Sequence, residues 1–271
     1  MRSGPPVRDA VAAATDALQA AGCETPRLDA ELLVAAALGT DRGRLVLDAE
    51  RPISPTASRT LMEWIRRRAR REPVAYILGR KGFRRIELLV DRRVLIPRPE
   101  TELLVELAGE LAPEGAAVHE VGTGSGAVAL ALAEERPDLH VSASDASAEA
   151  VAVALINRER TNVEVEIEVA VDLPSARRGV DLVLANLPYV RAGDWAGLAP
   201  EITGFEPRSA LVAGEDGLDA IRGLIASSEA GMLVALEHGS EQGPAVRALL
   251  EDPRTAPDLA GRDRVTVGRV G

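Results

Sequence analysis

The 271-residue sequence predicts an α/β protein in which a small helical bundle and a β-hairpin precede a parallel sheet. Two observations predict the sheet. From Ala116 onward, short apolar runs alternate with helical patterns, which is the order expected of strands connected by helices. A glycine-rich turn at residues 122–126 directly follows one of these runs, as in the βαβ units that bind nucleotides. The C-terminal two thirds are therefore predicted to be Rossmann-like.

The composition is typical of a soluble globular protein, with 46% hydrophobic and 27% charged residues. The net charge of −10 argues against non-specific nucleic-acid binding, for which a basic surface supplies most of the affinity. Cys23 is the single cysteine, which excludes an internal disulfide and is consistent with a reducing compartment. The sequence has no signal peptide pattern and no apolar run of membrane-spanning length. We therefore expect a cytoplasmic protein without membrane contacts.

Residues 1–73 are predicted to form a helical bundle without motifs for catalysis. Apolar residues recur at helical spacing from Val7, Pro26 can begin a second helix, and Ser54 can cap a later one. A basic run at residues 66–71 is interpreted as a solvated helix face. A contact for an RNA-rich partner is the alternative interpretation of this run.

The sequence changes in character after Pro73. Residues 74–97 are predicted to be a β-hairpin linker, with short strands at residues 76–79, 82–83 and 86–90. Residues 98–271 are predicted to form the α/β domain, with residues 265–270 as the closing strand at the sheet edge. At the start of this domain Arg98 stands between two prolines, and we expect it to bind substrate by shaping the entrance to the site. A plain domain linker is the alternative interpretation of this segment.

The ends of the predicted strands carry residues suited to a nucleotide-like cofactor. Glycines let the backbone approach the ligand, and Asp145, after the second strand, can accept hydrogen bonds from ribose hydroxyls. Asp172 ends the third predicted strand, residues 163–171, and can accept from an adenine amino group beside the apolar Leu173. An ordinary turn residue is the alternative for Asp172. The predicted cofactor-binding residues are Glu120, Gly122, Thr123, Gly124, Ser125, Gly126, Asp145, Asp172, Leu173 and Asn186.

The glycine turn by itself leaves the cofactor open, because residues 122–127 also fit a dinucleotide fingerprint that ends in alanine. Glu120, just before the turn, favours another ligand. An anion there is poorly suited to a pyrophosphate and well suited to a cationic cofactor that carries an amino acid. We therefore predict S-adenosylmethionine, with S-adenosylhomocysteine as its product.

The motif Asn186-Leu187-Pro188-Tyr189 follows the apolar run at residues 180–185, at the sheet edge where open α/β sheets bind ligands. The Asn186 Oδ1 and the Leu187 carbonyl can accept the two hydrogens of a planar –NH2 group, while the Tyr189 ring covers its face. Pro188 restricts Leu187 to an extended conformation. An ordinary turn is the alternative. The four residues are predicted to bind substrate and to catalyse the reaction. No metal site is expected, because His119, His140 and His238 are scattered along the sequence.

Several stretches together resemble the release factor glutamine methyltransferase family. The resemblance rests on residues 27–33, 73–79, 95–102, 120–126, 145, 186–189, 205–211, 237–239 and 261–265. The run Leu-Ile-Pro-Arg-Pro-Glu-Thr-Glu at residues 95–102 is much more particular to this family than the glycine turn. The resemblance implies a class I S-adenosylmethionine-dependent methyltransferase domain. It also implies methylation of the glutamine side-chain amide in the Gly-Gly-Gln loop of peptide chain release factors.

The sequence departs from the family pattern at Leu187, where the family usually has proline. The resemblance implies that only the backbone carbonyl of this position faces the substrate. Leucine supplies that carbonyl equally well, so we expect the chemistry to be retained and Leu187→Pro to be tolerated.

Three alternatives to this function stay open at the level of sequence. An adenine-N6 nucleic-acid methyltransferase would use the same motif to hold an exocyclic amine, but would need a basic face. A nicotinamide oxidoreductase would use the glycine turn but leave Asn186 to Tyr189 unexplained. A non-catalytic S-adenosylmethionine-binding module would result if Leu187 had disrupted the site. We expect release factors as partners, no direct nucleic-acid contact and a monomer.

Overall fold

The computed structural model describes residues 4–177 and 179–271. The chain divides into two compact units. The first comprises the chain up to Gly79 together with Ala199–Phe205, and the second comprises Arg80–Leu198 and Glu206–Gly271. In the part of the chain that is described, no helix has the length and apolar character required to cross a membrane.

The first unit is built of helices. They are α1 (Val7–Ala20), α2 (Pro26–Leu38), α3 (Arg44–Leu47), α4 (Pro55–Ala69) and α5 (Val74–Leu78), with α9 (Pro200–Phe205) later in the chain. As predicted, Ser54 caps α4 by accepting a hydrogen bond from the Ala57 N–H, and Pro55 occupies the first turn. Leu18, Leu33 and Ile53 are fully buried in the core of this unit.

The prediction of a strand at residues 76–79 is wrong, because this segment forms α5. The Tyr76 and Ile77 N–H groups both donate to the Pro73 carbonyl at 3.0 Å, and Gly79 ends the helix in the left-handed conformation. Tyr76 and Ile77 are both buried. Three apolar residues in sequence do not distinguish one helical turn from a short strand, and proline before the turn favours the helix.

The basic run at residues 66–71 is not simply a solvated face. Arg68 is 5% exposed, and its guanidinium donates to Asp29 at 2.7 Å and to Glu201 at 2.8 Å. Arg71 donates to both oxygens of Glu201, each at 2.7 Å. Two of these arginines therefore form an internal ion network of the first unit, because a buried guanidinium requires carboxylate partners.

The second unit begins with the predicted hairpin, formed by β1 (Arg80–Phe83) and β2 (Ile86–Leu89) in antiparallel pairing. Within the described residues, seven further strands form one sheet in the order β5-β4-β3-β6-β7-β9-β8. These strands are β3 (Ala117–Val121), β4 (His140–Asp145), β5 (Glu166–Val169), β6 (Leu182–Ala185), β7 (Leu233–Glu237), β8 (Leu250–Pro257) and β9 (Asp263–Val270). The helices of this unit are α6 (Glu102–Leu111), α7 (Ala127–Glu135), α8 (Ala148–Thr161), α10 (Asp219–Ser227) and α11 (Gly243–Arg247). The predicted Rossmann-like α/β fold is confirmed.

The strand order brings the two predicted motifs together. The chain runs outward from β3 through β4 to β5, and then returns to place β6 on the other side of β3. Parallel pairing sets Val121, the last residue of β3, opposite Ala185, the last residue of β6. The glycine turn and the Asn186 motif therefore leave the sheet side by side, at the switch point where such sheets bind ligands.

Two strand predictions need correction. The strand at residues 265–270 does not lie at the edge, because β9 pairs with both β7 and β8, and β8 forms the edge. The edge strand β8 contains Pro253 and Pro257 and an irregular register, and proline is tolerated in a sheet mainly at such edges. At the opposite edge β5 spans Glu166–Val169 and is shorter than predicted.

Candidate active site

The glycine turn after β3 has a left-handed backbone at Gly122, Gly124 and Gly126, a conformation that favours glycine. Gly122 and Gly126 have φ of +78° and +85°, and a Cβ on either would lie 2.8 Å from a leucine side chain, Leu187 or Leu130 respectively. Gly124 has φ +57°, and no atom lies within 4 Å of the position of its Cβ. The turn is therefore packed against the protein at both ends and open in the middle, which suits the close approach of a ligand to the backbone.

Glu120 is a buried carboxyl beneath this turn. Its Oε2 accepts from the Thr123 hydroxyl at 2.6 Å and from the Ala129 N–H in α7 at 2.9 Å. Burial raises the pKa of Glu120 to about 8, against the lowering effect of these two hydrogen bonds. Within the described residues Oε1 takes no hydrogen bond, so this is the oxygen that could meet a cofactor. Direct contact with the cofactor stays a prediction.

Asp145 ends β4 beside the glycine turn. One carboxylate oxygen accepts from the Gly124 N–H and the other from the Ser147 N–H, each at 2.8 Å. The side chain is half-buried, so it both fixes the turn and borders the space above it. Ser125 is buried, and its carbonyl accepts from the side chain of Asn157 at 2.8 Å. The structure thus places Asp145 against the middle of the turn, where a ribose acceptor is predicted.

Leu173 is buried in an apolar cluster, whereas the neighbouring Asp172 directs its carboxylate at a helix. Leu173 is 5% exposed and packs in the same apolar cluster as Val121 and Leu187, below the glycine turn. Asp172 has φ +55°, and its carboxylate lies beside Gly223 of α10, since a Cβ there would be 3.0 Å from Oδ1. The adenine-binding role of Asp172 stays a prediction, because its carboxylate faces a helix.

The Asn186 amide has a fixed orientation. Its Nδ2 donates to the Thr101 hydroxyl at 2.9 Å, so Oδ1 is the end left for a substrate. Thr101 is 5% exposed and lies at the end of the 3-10 turn Pro99–Thr101 that leads into α6. An amide oxygen left to accept a hydrogen bond at this sheet edge is the feature that the motif predicted.

The side chain of Leu187 packs into the protein next to the glycine turn, in addition to the role predicted for its carbonyl. The side chain is 8% exposed, packs in the apolar cluster of the sheet, and touches the space above Gly122. The expectation that this position matters only through its carbonyl is therefore incomplete. A proline there would not reach as far into the same cluster, because its ring is smaller and tied to the backbone.

Tyr189 and Pro188 are half-buried at the end of the motif. Burial raises the pKa of the Tyr189 hydroxyl, and the nearby Glu237 carboxyl raises it further. The Tyr189 carbonyl accepts from Gln242 Nε2 at 3.0 Å. The ring is thus held as a neutral, partly covered surface, as a residue that packs on a planar amide requires.

Gln242 fastens three loops at once and was not predicted from the sequence. Its Nε2 also donates to the Asp216 carbonyl at 3.1 Å, and its Oε1 accepts from the Gly239 N–H at 2.8 Å. Both amide hydrogens and the amide oxygen are therefore used, and the side chain is 7% exposed. Nothing in the local sequence distinguishes this glutamine from a surface residue.

Arg98 is held by a second residue that sequence reasoning missed. Its Nη2 donates to Glu206 Oε1 at 2.6 Å, and Glu206 Oε2 accepts from the Ile96 N–H at 3.2 Å. Glu206 is 6% exposed, whereas about a third of the Arg98 side chain is exposed. Arg98 is thus presented in a fixed pose, while its binding of substrate stays a prediction. The family-like run at residues 205–211 contains Glu206, but its partner could not be read from sequence.

Two of the three histidines, His119 and His238, have hydrogen-bond partners on both ring nitrogens. His119 is fully buried and both ring nitrogens bond to serine hydroxyls, those of Ser142 and Ser144, at 2.8 and 2.9 Å. Burial lowers the pKa of His119 to about 4, so the ring is neutral near pH 7. Across residues 4–177 and 179–271, no group of three or more His, Cys, Asp or Glu side chains is placed to hold a metal ion.

Comparison with known proteins gives the chain a family. Residues 9–79 match the PrmC N-terminal domain and residues 99–199 match the methyltransferase small domain. The release factor glutamine methyltransferase of Pseudomonas aeruginosa is 46% identical over 255 residues, which cover 90% of this chain and 92% of that protein. The chain belongs to the release factor glutamine methyltransferase family. The Caulobacter vibrioides member is 40% identical over 270 residues, covering 94% of this chain and 93% of that protein.

Membership in the release factor glutamine methyltransferase family confirms the resemblance found in the sequence. The crystal structure of the hMettl16 catalytic domain in complex with MAT2A 3'UTR hairpin 1 has a TM-score of 0.55 and 16% identity to this chain. The matched region covers 76% of this chain and 79% of the hMettl16 chain. At this low identity the similarity shows only that the two proteins share a fold. In this chain, the glycine turn, Asp145 and the Asn186 motif lie together at one edge of the sheet, and Thr101 contacts Asn186 there.

Proposed function

We propose that this protein transfers a methyl group from S-adenosylmethionine to the glutamine side-chain amide in the Gly-Gly-Gln motif of peptide chain release factors. Membership in the release factor glutamine methyltransferase family supports the substrate. The observation that carries the proposal is the orientation of Asn186, whose Nδ2 donates to the Thr101 hydroxyl and so leaves Oδ1 to accept from a substrate. An acceptor is what a substrate –NH2 group requires.

The residues present fit S-adenosylmethionine. The backbone at Gly124 is open to a ligand, Asp145 lies against it, and Glu120 presents a buried carboxyl beneath the turn. We infer that Asp145 accepts the ribose hydroxyls and that the glycine turn lies along the amino-acid part of the cofactor. When bound, the cofactor supplies a methyl group on a positively charged sulfur, which is a good leaving group.

The chain's own part in the reaction is positioning. An amide nitrogen is a poor nucleophile because its lone pair is delocalised into the carbonyl. The Asn186 Oδ1 and the Leu187 carbonyl would each accept one N–H of the substrate amide and direct the nitrogen at the methyl group. The same two oxygens stabilise the positive charge that develops on the nitrogen during transfer. Tyr189 would cover the plane of the amide and exclude water.

Arg98 and Pro188 complete the proposed substrate site. Pro188 keeps the Leu187 carbonyl directed outward by restricting the preceding residue to an extended conformation. Arg98, fixed by Glu206, would bind the peptide that carries the glutamine. We propose a monomer that acts on release factors in the cytoplasm and makes no direct contact with nucleic acid.

The test is mass spectrometry of release factors incubated with this protein and methyl-labelled S-adenosylmethionine. The proposal predicts one added methyl group on the glutamine of the Gly-Gly-Gln motif. Parallel incubations with RNA and DNA test the adenine-N6 alternative, which the same acceptor pair could serve. Label on adenine, with none on release factor, would replace the proposed substrate by a nucleic acid.

A further inference from the structure

His238 lies directly after β7, at the start of the loop behind Tyr189. It is fully buried, and its two ring nitrogens lie 2.9 Å from the Gly239 carbonyl oxygen and 2.8 Å from the Thr266 hydroxyl. Thr266, on the neighbouring strand β9, is fully buried as well. No step of the proposed methyl transfer uses this histidine, although residues 237–239 are part of the family resemblance. A buried polar ring is retained only where partners compensate its lost hydration.

The partners of the His238 ring determine which of its nitrogens carries the hydrogen. A carbonyl oxygen only accepts, so Nδ1 donates to Gly239. Both partners are uncharged, and burial lowers the pKa of His238, so the ring is neutral near pH 7. A neutral imidazole carries one hydrogen, so Nε2 accepts from the Thr266 hydroxyl. The tautomer is thereby assigned from the hydrogen-bond network.

The same reasoning extends this chain of hydrogen bonds to the protein surface. Thr266 has used its single hydrogen on His238, so the hydroxyl of Thr255, 2.8 Å away, must donate to it. Thr255 in turn accepts from Arg247 Nη1 at 2.8 Å. Arg247 also donates to Asp263 at 3.1 Å, and about a third of its side chain is exposed. The donors therefore run in one direction, from Arg247 through the two threonines to His238.

Gly239, at the end of this chain, lies against the Tyr189 ring. A Cβ at Gly239 would lie 3.8 Å from Tyr189 Cδ2 and 2.9 Å from Gln242 Oε1, so the backbone there approaches both side chains closely. The Gly239 carbonyl accepts from the Gln242 N–H at 2.9 Å as well as from the histidine. Gln242 in turn donates to the Tyr189 carbonyl. The placement of the Gly239 backbone therefore affects both the ring and the backbone of Tyr189.

We propose that His238 is a positioning residue, whose Nδ1–H holds the Gly239 backbone against the Tyr189 ring. This inference rests on the proposed function, in which that ring covers the plane of the substrate glutamine amide. A ring that packs on a planar group contributes to the reaction only while its face is held in place. His238 fixes the ring from the buried side, and Thr266 keeps the hydrogen on the nitrogen that faces Gly239.

The kinetic test compares His238→Leu, which removes both ring nitrogens, with His238→Asn, whose Nδ2 can donate to the Gly239 carbonyl. In His238→Leu we expect kcat for release factor methylation to fall by roughly tenfold, the scale for losing one positioning hydrogen bond. The affinity for S-adenosylmethionine, measured by calorimetry, should change far less. His238→Asn should recover most of the loss. His140→Leu, at an exposed site of β4, is the control and should leave kcat unchanged. Wild-type kcat in His238→Leu, or no recovery in His238→Asn, would overturn the inference.

A second measurement does not depend on turnover. Long-range proton–nitrogen NMR of the wild type at neutral pH reports which ring nitrogen of His238 carries the hydrogen, and it should be Nδ1. Thr266→Val keeps the shape of the side chain and removes the hydroxyl, so it should shift the signals of His238 Nε2 and of the Tyr189 ring together. Thr161→Val is the matched control, because among the described residues the Thr161 hydroxyl bonds only carbonyls of its own helix, and it should shift neither. A hydrogen on Nε2 in wild type, or Tyr189 signals that stay unchanged in Thr266→Val, would overturn the inference.

The inference and the proposed function fail in different ways. A wild type that shows the Nδ1–H tautomer and the Tyr189 response but leaves release factor unmethylated would overturn the proposed function alone. A wild type that methylates release factor and carries the His238 hydrogen on Nε2 would overturn the inference alone.

Discussion

At the scale of single residues, Leu187 connects the two halves of the site. Its carbonyl lies in the proposed substrate-binding motif, and its side chain packs over Gly122 of the proposed cofactor turn. Leucine fills a space that the glycine leaves open, so the identities of the two residues are linked through packing. Gly122 also has φ +78°, so an added Cβ would be strained as well as crowded.

Leu187→Pro is predicted to lower stability and to retain the chemistry. The variant loses part of a buried side chain from the sheet cluster, which we expect to cost about 1–3 kcal/mol of the free energy of unfolding. The carbonyl that accepts from the substrate remains, so kcat of the folded enzyme should change little. Urea denaturation and steady-state kinetics on the same preparations measure the two effects. Full stability in Leu187→Pro would show that the side chain does not contribute to packing.

Glu120→Gln is predicted to change how stability depends on pH. A carboxyl whose pKa rises from 4.5 to about 8 on folding binds more protons in the folded state across that window. Wild-type stability therefore falls as the pH rises from 4.5 to 8, by about 1.4 kcal/mol for each unit of pKa difference. Glutamine keeps the acceptor for Thr123 and Ala129 without this titration.

Urea denaturation at several pH values tests the Glu120 prediction. The stability of Glu120→Gln relative to wild type should rise steadily across the window and level off above it. Glu110→Gln, a change at an exposed glutamate of α6, is the matched control and should give a constant difference. Parallel pH profiles for Glu120→Gln and wild type would contradict the assigned burial effect.

At the scale of elements, three loops at the carboxyl edge of the sheet are held together by Gln242 at the start of α11. These loops follow β6, precede α10 and follow β7, and they contribute the Tyr189 carbonyl, the Asp216 carbonyl and the Gly239 N–H. The space around the side chain is tight, since a Cβ on Gly217 would lie 2.7 Å from its Nε2. The Asn186 motif is therefore fixed from both ends, by Thr101 and by Gln242.

Gln242→Glu is predicted to loosen this edge. The substitution replaces two N–H donors by an acceptor that faces two carbonyl oxygens, leaving them unpaired at a cost of about 1–3 kcal/mol or more. We expect lower stability in urea and a lower kcat, because the backbone at Tyr189 loses its anchor. Gln19→Glu, at an exposed site of α1, makes the same chemical change and should leave both quantities unchanged. If Gln242→Glu were less stable but kept the wild-type kcat, the hydrogen bond from Gln242 to the Tyr189 carbonyl would not be needed for catalysis.

Some of the strands could be predicted from their own sequences and others could not. β3 is the apolar run predicted directly before the glycine turn, because a buried parallel strand followed by glycine has a clear local pattern. The edge strand β8 was missed, since its charges and prolines are tolerated only where one side of the strand is unpaired. In the site the motif residues were predicted, but Thr101 was not, because it lies 85 residues from Asn186. Local sequence patterns predict the residues proposed to bind substrate and cofactor. The residues that orient them, such as Thr101, are distant in sequence and are found only from contacts in the folded structure.

At the scale of the whole molecule, each unit has its own core and its own polar network. In the first unit the Glu201 carboxylate accepts hydrogen bonds from Arg68 and Arg71, and the Asp29 carboxylate accepts one from the Nε of Arg68. Glu201 reaches this unit from a segment far along the chain, in α9. The division into domains at residues 1–73, 74–97 and 98–271 stays a prediction.

Glu201→Gln is predicted to destabilise the first unit. The change removes the charge that offsets two arginines, one of them buried, and we expect a loss of about 1–3 kcal/mol. Glu63→Gln is the matched control, because Glu63 pairs with Arg66 where both side chains are exposed, and such pairs contribute less than about 1 kcal/mol. Thermal unfolding of the three proteins measures the difference. Equal midpoints for Glu201→Gln and Glu63→Gln would show that the network adds no more than a surface pair.

The central claim is that the acceptor end of Asn186 orients the substrate amide, and Asn186→Ala tests it most directly. The glycine turn and Asp145 remain in this variant, so affinity for S-adenosylmethionine, measured by calorimetry, should change little. The rate of methyl transfer to release factor, measured by mass spectrometry at saturating cofactor, should fall by roughly 10² or more. If Asn186→Ala methylates release factor at the wild-type rate, the account of the site is wrong.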